Sequence, residues 1–139
     1  MASSAPPPPT VQVGIDEDLK RILVWVVGPA TGALVATRVA ELFRKRPDLA
    51  AYDMLYDLTA YTGDVAADDL DPIVEAYAGA GPDLSVPCRT AFLTRDRHFQ
   101  HWATAMDEQF PGREHRAFPV LPTALQFLAE PPQARRRRL

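Results

Sequence analysis

The chain has one cysteine, Cys88, in 139 residues. It has no partner for an internal disulfide, and only Arg89 beside it is electropositive. A buried structural thiol at the start of a strand is therefore the expectation, not a reactive one. No apolar stretch reaches the roughly 18–20 residues of a membrane span. The first residues, MASSAPPPP, have neither a basic end nor an apolar run, so they do not read as a secretory signal. These absences lead to the expectation of a cytoplasmic protein with no membrane span. From Pro47 to Pro87 there is no Lys or Arg against nine Asp and Glu. A face so acidic repels phosphates and excludes a nucleic-acid partner.

Catalytic and metal signatures are missing as well. Gly28-Pro29-Ala30-Thr31-Gly32 has neither the Walker lysine nor dinucleotide spacing. No Ser-His-Asp or Cys-His order is present. His98 and His101 stand three apart beside Asp96, which suits a solvated helix face better than a metal site. Asp64, Asp68, Asp69 and Asp71 miss the spacing of a calcium loop and read as helix capping and solubility. The expectation is no metal, no cofactor and no catalytic set.

What is present is an ordinary globular balance, 47% apolar and 24% charged, in a length that suits one domain. The net charge of −3 becomes −7 once Arg135–Arg138 are set aside. Residues 1–10 read as a disordered Pro-rich tail, 11–130 as the domain, and 131–139 as a disordered Arg-rich tail. Val11–Ile15 alternates, as an edge strand with one wet side does. Arg21–Val27 is apolar on both sides and reads as a mid-sheet strand, joined to the first by a short polar turn in an antiparallel hairpin. Thr31 caps a helix to about Arg46, with Val35, Val39, Leu42 and Phe43 inward. A helix starts at Asp71-Pro72 and ends at Gly79 and Gly81, with Ile73, Val74 and Tyr77 inward. Arg89–Thr94 is a strand. Asp96 caps a helix whose stripe is Phe99, Trp102, Ala103, Met106 and Phe110. His115–Phe118 is a short strand, and Thr123–Glu130 is a last helix with Leu125 and Leu128 inward. The order ββαβαβαβα gives an α/β domain with a mixed, mostly parallel five-stranded sheet.

The stretch around which this order is arranged is Ala51–Asp64, AYDMLYDLTAYTGD. It reads as a strand, Tyr52–Leu58, that opens into a polar loop, Thr59–Asp64. The end of a parallel strand is where open α/β sheets place their sites. Asp57, Thr59, Tyr61, Thr62, Gly63 and Asp64 are the candidate binding residues. A phosphoryl-accepting Asp57 would need an acidic pair after an earlier strand and a lysine after the last one, and neither is present. The ordinary role of such an Asp is to accept N–H bonds from its own loop.

Three stretches resemble the STAS/SpoIIAA-like group: RILVWVVGPAT, AYDMLYDLTAYTGD, and CRTAFLTRDRHFQHWA followed by HRAFPVLPTALQFL. The resemblance spans about Val11 to Glu130. It implies a non-enzymatic interaction domain in which a Ser or Thr after the third strand is phosphorylated to control partner binding. Carried over, Asp57 matches the strand-end acid and Thr62-Gly63 falls near the acceptor, making Thr62 the candidate phosphoacceptor. The loop departs from the group's Asp-Ser-Ser-Gly run. The resemblance also implies an apolar pocket in some relatives.

Two functions follow as expectations. The first is a regulatory protein-interaction module acting on a protein partner. The alternative is a carrier of a small apolar ligand or lipid, with a pocket lined by residues such as Trp25, Tyr56 and Phe92. A homodimer through a sheet face covered on one side only stays open.

Overall fold

Val11, Val13 and Ile15 alternate with small or polar neighbours. In the computed structural model, which describes residues 8–131 and Arg135, they lie on the edge strand β1 (Thr10–Asp16). β1 pairs antiparallel with β2 (Arg21–Gly28), from Thr10 opposite Val27 to Asp16 opposite Arg21. The turn between them is closed by the Leu19 amide, which donates to Asp16 Oδ1 at 3.0 Å, and by Lys20 in the left-handed region at φ 52°. β3 (Asp53–Tyr61), β4 (Cys88–Leu93) and β5 (Arg113–Phe118) add in parallel, giving the sheet order β1-β2-β3-β4-β5.

A sheet that grows in one direction by right-handed crossovers puts every crossover helix on one face. Accordingly α1 (Gly32–Lys45), α2 (Asp71–Gly79) and α3 (Arg97–Ala105) share the main core with Ile22, Val24, Val26, Met54, Tyr56, Leu58 and Phe92. Each fully buried aliphatic side chain here contributes about 1.5–3 kcal/mol. Thr31 Oγ1 caps α1 by accepting from the Leu34 amide at 3.1 Å, and Asp96 caps α3 by accepting from the His98 amide at 2.9 Å. α4 (Leu121–Ala129) follows the last strand and folds back over the other face. There it buries Ala124, Phe127 and Leu128 against Leu55, Ala91 and Leu93.

Three expectations change. β2 is not covered on both faces: Ile22, Val24 and Val26 are buried, but Trp25 is 39% exposed because α4 packs mainly over β4 and β5. The strand buried at every position is β4. Leu125 is exposed, because α4 begins at Leu121 and presents Ala124 and Leu128 to the sheet. Asp71 is the first helical residue of α2, not its cap, and acts through the helix dipole in the first turn.

The Pro-rich tail falls mostly on residues 1–7, outside the described residues. Thr10, assigned to it, belongs to β1. Of the Arg-rich tail, Arg135 is described, and there the expectation of disorder fails. Arg135 is 8% exposed and grips Asp53 with both Nη atoms at 2.8 Å. Its Nη2 also donates to the Leu128 carbonyl and its Nε to the Glu130 carbonyl, each at 2.8 Å. Arg89 donates to the Phe127 carbonyl at 2.8 Å. Two guanidinium groups thus satisfy carbonyls at the C-terminal end of α4, the end where cations are favoured.

Arg135→Ala is expected to lower stability in urea unfolding by about 2–3 kcal/mol, since Asp53 would keep its burial and lose its cation. Arg135→Lys is expected to restore only part of this, because an ammonium cannot form the paired contact.

Candidate functional site

The C-terminal end of β3 is built around an irregularity. Trp25 pairs with Asp57, but Val27 pairs with Ala60, so β3 carries one extra residue there. Asp57 Oδ1 holds this bulge by accepting from both the Thr59 amide at 3.0 Å and the Thr59 hydroxyl at 2.6 Å. Regular alternation would send Tyr61 to the same face as Asp57. The bulge turns it to the face of Leu58 instead, among the crossover helices. The strand runs through Tyr61, so Thr59–Tyr61 is strand and not the expected loop.

Beyond it the loop is braced by backbone contacts. The Thr62 amide donates to the Gly28 carbonyl at 3.0 Å. Gly63 lies so close to Ala30 that a Cβ would sit 2.3 Å from its carbonyl oxygen, so only glycine fits. Gly32 meets Asp69 with the same closeness, which places the Asp69 carboxylate at the start of α1.

Facing this loop across the strand ends is the start of α3. Between them lies an open cleft of about 360 Å³, walled by Tyr61, Asp64, Val65, Asp96, Phe99 and Trp102. Tyr61, Val65, Phe99 and Trp102 also wall an interior cavity of about 50 Å³, so the cleft is the cavity's mouth. The cavity runs between the sheet and the three helices, past Met54, Tyr56 and Phe92, to Thr90, Arg113 and His115. Tyr56 and Phe92 stack with their centroids 5.0 Å apart, and Phe99 meets Phe92 edge-on at 4.9 Å.

The polar groups of the inner end come from β5. Arg113 is 2% exposed; its guanidinium donates to Thr90 Oγ1 at 3.1 Å and to the carbonyls of Ala50 at 3.0 Å and Tyr52 at 2.7 Å. His115 is buried beside Asp107, whose Oδ1 meets His115 Nδ1 at 2.9 Å and accepts from the His115 amide at 2.6 Å. At the junction of cavity and cleft, the Tyr61 hydroxyl is buried with no hydrogen-bond partner among the described residues. Burial, then Asp64 and Asp69, push its pKa upward.

The candidate residues are thus divided. Tyr61, Gly63 and Asp64 line the cleft, and Thr62 is exposed on the loop beside it. Asp57 faces the other side of the sheet, in a shallow groove with Trp25, Leu93, Leu121 and Leu125, and Thr59 is exposed. Tyr56 and Phe92 line the interior cavity as expected, but Trp25 does not. His98 is at the cleft wall and His101 is exposed. The sequence pattern does not mark Arg113, His115 or the Asp107 that holds it as site residues. The available signal was the alternation Arg113, His115, Ala117 leading into Phe118.

Two solved structures share this architecture. An uncharacterized protein of the DUF3478 family with a SpoIIAA-like fold, from Shewanella loihica PV-4, matches with a TM-score of 0.55 at 18% identity, over 93% of this chain and 99% of that one. An anti-sigma factor antagonist from Mycobacterium paratuberculosis matches with a TM-score of 0.53 at 15% identity, over 91% of this chain and all of that one. The fold is SpoIIAA-like. No protein-family model matches the sequence, and no curated protein matches it. In this SpoIIAA-like frame the cleft lies at the C-terminal edge of the parallel strands, the end where open α/β sheets bind their ligands. Among the described residues no helix is long and apolar enough to cross a membrane, and no group of three or more acidic, His or Cys side chains could hold a metal.

Burial raises the pKa of Tyr56, Tyr77 and Cys88, with Arg113 pulling each back in part. The unfolded chain therefore releases these protons first, near 9.0 for the thiol and 10.0 for the phenols. The folded form binds more protons in that range, so stability falls as pH rises. Urea unfolding is expected to give constant stability from about pH 7 to 8.5, then a decline that each group steepens by up to about 1.4 kcal/mol per pH unit. Tyr56→Phe and Cys88→Ala should each flatten the decline.

Proposed function

We propose that the protein is a non-enzymatic, cytoplasmic interaction module of a regulatory kind, which binds a protein partner through the loop at the end of β3 and the start of α2. The observation that carries this reading is the loop itself. It is exposed at Thr62 and Asp64, yet braced by the Thr62–Gly28 hydrogen bond and the Gly63–Ala30 contact. A binding surface that is ordered beforehand loses little entropy on docking. The similarity to an anti-sigma factor antagonist supports the same reading. Asp64, Asp68 and Asp71 are all exposed along this edge, which favours a partner with a basic patch. Under this reading Thr62 is the phosphoacceptor. A phosphate there would add nearly two negative charges beside Asp64 and alter docking by charge.

A photo-crosslinking residue placed at Thr62 in the source cells should yield one adduct of defined mass, absent when the residue is placed at the exposed Ala129. Asp64→Lys combined with Asp68→Lys should abolish it. Failure to form an adduct, or the same adducts at both positions, would remove the interaction reading. A phosphoryl mass that disappears in Thr62→Ala is the expected mark of the switch.

A second reading, a carrier of a small apolar ligand or lipid, is favoured by the aromatic-walled cavity that opens into the cleft beneath the same loop.

A further inference from the structure

The floor of the cavity can be traced along β4. Thr90, Phe92 and Thr94 face the same way, Thr90 at the inner end and Thr94 at the mouth. Four residues at about 3.3 Å each make this path roughly 13 Å long. Its walls are almost wholly apolar, and its polarity is concentrated at the two ends with opposite sign.

The inner end is cationic. Arg113 is 2% exposed, and each of its three hydrogen-bond acceptors is neutral. None of the ion pairs among the described residues includes it, and its Nε, also buried, has no hydrogen-bond partner. The face of Tyr77, with its centroid 5.4 Å from the guanidinium carbon, compensates the charge only weakly. The buried carboxylate of the same region, Asp107, is engaged by His115. A guanidinium held out of water without a counter-charge is costly, and a bound anion relieves that cost. The mouth is acidic, with Asp64 and Asp96 in its wall, so it disfavours an anionic head left outside.

We infer that the cavity binds a slender aliphatic monocarboxylate head first, with its carboxylate at Arg113 and its chain running past Phe92 and Trp102 to the cleft. This rests on the carrier reading and adds to it the ligand's charge and direction. The small volume of the interior, about 50 Å³, favours a single slender chain over a two-tailed lipid.

The test uses the full chain titrated by calorimetry with sodium octanoate and, separately, with 1-octanol. Octanoate is expected to bind at least tenfold more tightly at pH 7.5. Arg113→Met should erase that preference while leaving octanol within twofold of its original affinity. Because this substitution also removes three anchoring hydrogen bonds and risks unfolding the chain, the unaltered protein supplies a second measurement. The carboxyl carbon of bound [1-13C]octanoate should stay ionised to lower pH than in the free acid and be shielded from a soluble paramagnetic agent. Equal affinity for octanol, or a carboxyl that titrates as in water and is broadened by the agent, overturns the head-first assignment and leaves a carrier of neutral apolar ligands. Absence of binding by both probes overturns the carrier reading together with it.

Discussion

The burial of Arg113 is the constraint on which the inner half of the molecule depends. Its guanidinium joins three segments that meet nowhere else in sequence: β5, which carries it, Thr90 of β4, and the Ala50 and Tyr52 carbonyls that lead into β3. Those carbonyls lie where the chain leaves a 3-10 turn (Pro47–Ala51). A buried carbonyl without a donor costs about 1–3 kcal/mol, so one side chain that supplies two such donors fixes the entry of β3. Where β3 enters then decides its register against β2 and β4, and so which of its residues face the helices.

The two faces of the sheet are closed by different means. On one, three helices bury a continuous apolar core, and ordinary hydrophobic packing suffices. On the other, α4 alone has to hold, and its apolar contact is small. There Arg89 and Arg135 take over, binding the helix's last carbonyls and, through Asp53, tying them back to β3. The chain order forces this. A fourth crossover on the first face would need a sixth strand, and none follows α4 among the described residues.

Much of this architecture was legible in the sequence wherever one periodicity ran without interruption. α1 and α3 have caps and apolar stripes at helical spacing, and the hairpin has an alternating strand and a continuous apolar one on either side of a polar turn. Legibility failed where a polar residue was buried or an apolar one exposed. Arg113 resembles the end of a turn after Pro111-Gly112, so β5 reads two residues too short. Trp25 resembles core because its neighbours are core, yet its exposure depends on how far α4 reaches, which is a tertiary fact. Arg135 sits in a run of four arginines that composition assigns to solvent. Its anchor, Asp53, is 82 residues away.

The candidate site shows the same limit more sharply. Reading Tyr52–Leu58 as a strand and Thr59–Asp64 as its loop puts Asp57 and Tyr61 together at one strand end, and with them a single site. The extra residue held by Thr59 and Asp57 separates them, sending Asp57 to the α4 side and Tyr61 to the helix side. The pair responsible, an Asp with a Thr two residues on, is common in turns and gives no sign in sequence that a strand continues beyond it. Asp57 is therefore important to the cleft without lining it. Its carboxylate is spent on the backbone geometry that points Tyr61 inward. The candidate surface then consists of what the bulge presents: a phenol at the mouth, a braced acidic loop above it, and an aromatic passage to a buried cation below.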